Sequence, residues 1–121
     1  MIVKTDNIIK EKTYNFARRI VRLYRFLIEN REYILSKQIL RSGTSIGANV
    51  EEAIAAQSKK DFIAKMYIAL KEARETNYWL RILNDEDFVK TSRIENLKNE
   101  SIEIIKVITS IIKSTQKQKN N

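Results

Sequence analysis

LRSGTSIGANVEEA, residues 40–53, contains both glycines of a 121-residue chain that has no proline. Apolar residues keep helical spacing through this stretch, which predicts that both glycines lie inside one helix. Each mid-helix glycine is unfavourable by about 1 kcal/mol relative to alanine. Gly43 and Gly47 fall about 40° apart on one flank of that helix. The missing Cβ atoms predict close packing, with another helix or a side chain such as Trp or Tyr against the main chain.

A break in the helix is the alternative explanation for the two glycines. In that case SGTS, residues 42–45, would form a turn, and Ser45 would cap a new helix. The apolar positions that stay in phase across the stretch favour close packing; they are Leu35, Ile39, Ile46 and Val50.

Apolar residues recur at intervals of three and four along the whole chain, which predicts a single all-α domain over residues 1–121. We expect helices at about 6–30, 33–57, 59–84 and 92–116, with residues 117–121 frayed. Asp6, Ser58 and either Thr91 or Ser92 are the expected N-caps. The predicted core positions, helix by helix, are Ile9, Phe16, Ile20, Leu23, Tyr24 and Leu27; Leu35, Ile39, Ile46, Val50 and Ala53; Phe62, Met66, Ala69, Leu70, Ala73 and Leu80; and Ile94, Leu97, Ile104, Ile108 and Ile111. Short connections between long helices predict an antiparallel up-down-up-down four-helix bundle.

The composition narrows the function. Lys and Arg number 23 against 15 Asp and Glu, giving a net charge of +8 and a pI near 9.8. This balance favours a polyanionic partner, with nucleic acid first and an anionic membrane second, although lysines that merely keep the protein dispersed are the alternative. The chain has no cysteine and no histidine, which excludes disulfides and the usual zinc ligands. No long apolar run or leader peptide is visible, which argues against a membrane span and against secretion. We expect a cytoplasmic protein without a membrane partner.

A stripe of arginines on the first helix is the candidate nucleic-acid surface. Arg18, Arg22 and Arg25 fall within an arc of about 60° facing away from the core positions. Guanidinium groups at one-turn spacing suit successive phosphates. Glu11 and Glu29 on the same face offer the alternative of an ordinary solvated stripe with intrahelical pairs. Further basic residues that would extend the surface are Arg19, Lys37, Arg41, Lys113, Lys117 and Lys119.

An apolar cluster on the third helix predicts self-association. Ile68, Trp79 and Ile82 lie with Glu75 roughly opposite the core positions, so a single chain would expose its only tryptophan. Wide apolar arcs that simply suit long helices are the alternative. Oligomerisation is the favoured interpretation, with Trp79 as the anchor.

Residues 40–53, together with DFIAKMYIALKEARETNYWLRIL at 61–83, resemble the four-helix-bundle family encoded in intervening sequences of bacterial 23S ribosomal RNA genes. The accessory variability protein of diversity-generating retroelements is related to it. The resemblance implies a ring-like homopentamer without enzymatic activity or cofactor, and for the retroelement relatives it implies binding of nucleic acid and a reverse transcriptase. The matching residues are assigned to structure and assembly; they are Arg41, Ser42, Ser45, Gly47, Asn49, Glu52, Glu72, Glu75, Trp79 and Leu80.

Catalysis is not predicted. The candidate cluster of carboxylates is formed by Glu51, Glu52, Glu72 and Glu75, and no candidate nucleophile has a base beside it. We therefore expect a basic oligomeric bundle that binds RNA or DNA through phosphates without base specificity, as an accessory to ribosomal RNA processing or reverse transcription. A protein–protein scaffold that recruits one acidic partner is the alternative.

Overall fold

The computed structural model describes residues 4–86 and 92–118, apart from the side chain of Lys4. These residues form four α-helices and no β-strand. The helices are α1 (Lys4–Glu29), α2 (Leu35–Ile54), α3 (Lys59–Asp85) and α4 (Ser92–Lys117). Helix α2 begins two residues later and ends three residues earlier than the sequence predicts. Among the described residues, no helix combines the length and the apolar character that a membrane span requires.

The four helices share one hydrophobic core. Helix α1 contacts α2, α2 contacts α3 and α3 contacts α4, while the contact between α1 and α4 is the least extensive of the four. Most predicted core positions are buried, whereas Tyr24, Leu35 and Phe62 are only partly buried. Leu83 and Ile112 are buried although the sequence pattern did not select them. The core is therefore built from one apolar face of each helix.

Helix α2 runs without a break through both glycines. A Cβ atom at Gly43 would lie 2.8 Å from both γ-carbons of Ile20, and one at Gly47 would lie 3.3 Å from the backbone carbonyl of Thr13. The space beside each glycine is thus taken by α1. The isoleucine side chain fills the space beside Gly43, and the backbone of α1 fills the space beside Gly47. The aromatic side chain that the sequence suggests as one candidate does not occupy either space. No turn forms at residues 42–45.

Glu32 determines where α2 begins. Its carboxylate is buried and accepts hydrogen bonds from the backbone N–H groups of Ile34 at 3.0 Å, Leu35 at 3.1 Å and Ser36 at 2.5 Å. These amides belong to the start of the helix, where N–H groups have no intrahelical acceptor. The negative charge also lies at the favourable end of the helix dipole. The cap explains why α2 begins at Leu35 and not at residue 33.

The other expected caps have different outcomes. The Ser58 hydroxyl accepts a hydrogen bond from the Asp61 N–H at 3.0 Å, as an N-cap does. Asp6 lies inside the first turn of α1, because that helix already includes Lys4, and its prediction as the N-cap was wrong. Its side chain is buried. Ser92 is the first residue of α4, and Thr91 lies outside the described residues.

Candidate nucleic-acid interface

The arginine stripe, formed by Arg18, Arg22 and Arg25, lies on the exposed surface of α1. Within residues 4–86 and 92–118, none of the three guanidinium groups forms an ion pair. Glu29 lies one turn beyond Arg25 but does not pair with it. The stripe therefore carries positive charge that no neighbouring carboxylate neutralises, contrary to the alternative of intrahelical pairing.

Two other predicted phosphate ligands have intramolecular acidic partners. Arg19 forms an ion pair with Glu100, which ties α1 to α4. Arg41 forms ion pairs with Glu72, at 3.3 Å, and with Glu75, which tie α2 to α3. These ion pairs depend on which helices pack against each other, so the sequence pattern of a single helix does not predict them.

The remaining basic candidates within the described residues lie on other helices than the stripe. Lys37 is exposed on α2, and Lys113 and Lys117 are exposed near the end of α4. Lys119 lies outside the described residues. The structure thus places the uncompensated arginines of the prediction on α1 alone.

A groove lined by Arg19, Arg22, Ser92, Arg93 and Asn96 lies between α1 and the first turns of α4. We call it the arginine groove. Its volume is about 380 Å³, and no carboxylate is among these lining residues. The Arg93 guanidinium lies 5.7 Å from the centre of the Phe26 ring, a cation–π distance. Sequence reasoning missed Arg93 and Asn96 because only the packing of α4 on α1 brings them beside the stripe.

Trp79 is less exposed than the sequence predicts. It packs against the edge of the core, and its indole N–H donates to Glu75 Oε2 at 2.9 Å. Ile82 is also partly buried, while Ile68 is 41% exposed. The expectation that a single chain exposes Trp79 together with Ile68 and Ile82 is therefore wrong for Trp79. Its indole ring is half-buried, and its N–H group has a hydrogen-bond acceptor. Helix α3 still presents apolar surface at Ile68.

Three of the four clustered carboxylates form ion pairs in the described structure. Glu72 and Glu75 bind Arg41, and Glu52 lies 3.5 Å from the Lys65 ammonium. Over the described part of the chain, no group of three or more His, Cys, Asp or Glu side chains is arranged to hold a metal ion. The carboxylates at Glu72 and Glu75 thus stabilise the α2–α3 contact.

Comparison with known proteins identifies the family. Residues 5–110 match the model of the 23S rRNA-intervening sequence protein family. The chain belongs to this family. A solved relative is a crystal structure of a protein of unknown function from the S23 ribosomal protein family of Bacteroides thetaiotaomicron VPI-5482. It is 55% identical, the alignment covers 90% of this chain and 98% of that chain, and the TM-score is 0.86. No curated protein sequence shows a significant match to this member of the 23S rRNA-intervening sequence protein family.

Proposed function

We propose that this protein is a non-enzymatic, oligomeric nucleic-acid-binding protein that contacts RNA or DNA through phosphates. The arginine stripe is the observation that carries the proposal. Three exposed guanidinium groups at helical spacing have no acidic partner in the described structure, and the whole chain carries a net charge of +8. Because phosphates present the same charge at every base, such a surface binds with steep salt dependence and little sequence preference.

The proposed architecture is an antiparallel up-down-up-down four-helix bundle. On α2 and α3, Arg41 contacts Glu75 whereas Glu52 contacts Lys65, so the contacting positions run in opposite directions along the two helices. Residues 30–34 and 55–58 are the only links between the first three helices. Links this short favour neighbouring helices that run antiparallel.

The proposed assembly is a ring-like homopentamer. Helix α3 exposes Tyr67 and Ile68, and Trp79, about three turns further along the same helix, is half-buried. This leaves apolar surface on α3 for a second copy to cover. Five copies would combine to a charge of roughly +40 and repeat the arginine stripe around one axis. Assembly would therefore strengthen the attraction for a polyanion.

The proposed role is an accessory one in the cytoplasm, in processing of ribosomal RNA intervening sequences or beside a retroelement reverse transcriptase. Its support is family membership together with the basic surface. A role without catalysis or cofactor agrees with the engagement of Glu72 and Glu75 by Arg41, and with a sequence that lacks histidine and cysteine.

Binding of labelled single-stranded RNA and duplex DNA at two salt concentrations tests the nucleic-acid proposal. We expect binding at low salt, with a logarithmic salt slope near −0.9 per phosphate contacted on the duplex. Replacing the arginine stripe in Arg18→Gln/Arg22→Gln/Arg25→Gln should make that slope shallower by about 2 to 3.

The matched control removes three other exposed positive charges, in Lys60→Gln/Lys71→Gln/Arg74→Gln on α3. These side chains also have no ion-pair partner among the described residues. We expect the control to weaken binding much less than loss of the stripe. Equal losses would contradict the assignment to α1. No binding by the unsubstituted protein at low salt would contradict nucleic-acid binding itself and favour the scaffold with an acidic protein partner.

Light scattering tests the assembly. A pentamer has five times the 14.2 kDa mass of one chain. Ile68→Glu should dissociate it, whereas Ile102→Glu on α4 introduces the same charge at a position of nearly equal exposure and should not. A single-chain mass for the unsubstituted protein would refute oligomerisation.

A further inference from the structure

We infer that the arginine groove is a phosphate-binding site. The inference rests on the proposed function only in taking its phosphate from a nucleic acid. Three guanidinium groups, one hydroxyl and one carboxamide surround the same space. All five side chains can donate hydrogen bonds, and an arginine fork can bind two phosphate oxygens at once.

Contacts outside the groove hold two of the three arginines. The Arg19 ion pair to Glu100 uses Nη1, and Arg93 rests over the ring of Phe26. A guanidinium has five N–H donors, so the pair with Glu100 leaves Arg19 donors for a second anion. Side chains that are already fixed lose less conformational freedom when a ligand binds, which strengthens binding. Arg22 is the third member and has no ion-pair partner in the described structure.

The N-terminus of α4 adds to the positive electrostatic potential of the arginine groove. Ser92 is the first residue of this helix and lines the groove. N–H groups in a first helical turn have no intrahelical acceptor, and the helix dipole places partial positive charge there. An anion in the groove would therefore meet both the arginines and the positive end of α4.

Arg22 belongs to both the arginine groove and the arginine stripe. A phosphodiester chain seated in the groove can therefore continue along α1 towards Arg18 or Arg25 without leaving positive surface. The groove is open to solvent, so both sides of a seated phosphate can remain attached to a chain. This continuity favours a nucleic-acid phosphate over a free phosphate compound as the natural occupant.

Titration with inorganic phosphate, followed by amide NMR, tests the site independently of nucleic-acid binding. We expect shifts at Ser92, Arg93 and Asn96, with Arg74 on α3 unmoved. Arg93→Gln should weaken phosphate binding about tenfold, while Arg74→Gln removes the same charge and should leave it unchanged. Arg22→Gln provides a second groove variant if Arg93→Gln lowers the melting temperature.

An oligonucleotide arm identifies the source of the phosphate. An oligonucleotide that moves the same three amides and competes with inorganic phosphate supports the nucleic-acid assignment. If inorganic phosphate shifts the three amide signals but a bound oligonucleotide does not, the groove is a phosphate site and its assignment to nucleic acid is refuted. Absent shifts with inorganic phosphate, or equal effects of Arg93→Gln and Arg74→Gln, would overturn the groove. The proposed function would then still stand wherever the unsubstituted protein binds the oligonucleotide at low salt.

Discussion

Replacing Gly43 with alanine should destabilise the protein, although alanine is the better helix former. The new Cβ would lie 2.8 Å from Cγ1 and from Cγ2 of Ile20, a side chain with no exposed surface. Both carbons are bonded directly to the Cβ of a branched side chain, so rotation cannot move both away and the two helices must separate slightly.

The magnitude follows from two opposing effects. Overpacking of a core is unfavourable by about 1–3 kcal/mol, and a contact against two γ-carbons belongs in the upper part of that range. The gain in helix propensity is about 1 kcal/mol. We therefore expect Gly43→Ala to lower the free energy of unfolding by about 1–2 kcal/mol.

Urea unfolding followed by circular dichroism measures this change, with the protomer concentration held constant because association alters apparent stability. Ala48→Gly, at an exposed position of the same helix, isolates the propensity effect and should lose about 1 kcal/mol. Ile20→Ala should be less harmful in the Gly43→Ala background than alone, because it removes both clashing carbons. A Gly43→Ala protein that gains about 1 kcal/mol, as propensity alone predicts, would refute close packing as the reason for the glycine.

Three further substitutions test individual contacts by the same unfolding measurement. Glu32→Ala removes the hydrogen-bond acceptor at the start of α2 and should lower the free energy of unfolding by about 1–2 kcal/mol. Glu29 is exposed and unpaired in the described structure, so Glu29→Ala should change that free energy by no more than about 0.5 kcal/mol. Equal effects of the two substitutions would contradict the cap. Thr76→Val removes a buried hydroxyl that lies 2.9 Å from the Ser42 hydroxyl, and it should lower the free energy of unfolding by about 1 kcal/mol. An unchanged urea midpoint would show that this hydrogen bond contributes nothing to stability. Arg41→Gln leaves two carboxylates of α3 without their cation. Because the arginine is half-exposed, the free energy of unfolding should fall by only about 0.5–1 kcal/mol. A loss of the same size in 1 M salt would show that the effect is not electrostatic.

The candidate interface was only partly readable in the sequence. Arg18, Arg22 and Arg25 share a face because of helical geometry alone, so the arginine stripe could be predicted from their spacing. Whether each charge is neutralised depends on other helices. Arg19 has a partner 81 positions away in the chain, and no local pattern indicates such a contact.

Helix capping shows the same division. Ser58 could be recognised as a cap because its acceptor reaches an amide three residues ahead, within a familiar local pattern. Glu32 caps α2 through three consecutive amides from a connection whose preceding residue, Arg31, has a φ of 65°. Left-handed backbone is uncommon for arginine, so the sequence carried no signal for that turn.

The sequence by itself determined the elements: four helices, the apolar face of each one, and a pair of glycines that require close approach, because periodicity and the missing Cβ are local properties. Tertiary structure alone decided the neighbours. It placed Ile20 and Thr13 of α1 against the glycines, paired Arg41 of α2 with Glu75 of α3, and brought Arg93 to Arg22. These contacts join residues distant in the chain, and their identity depends on how whole helices pack against one another.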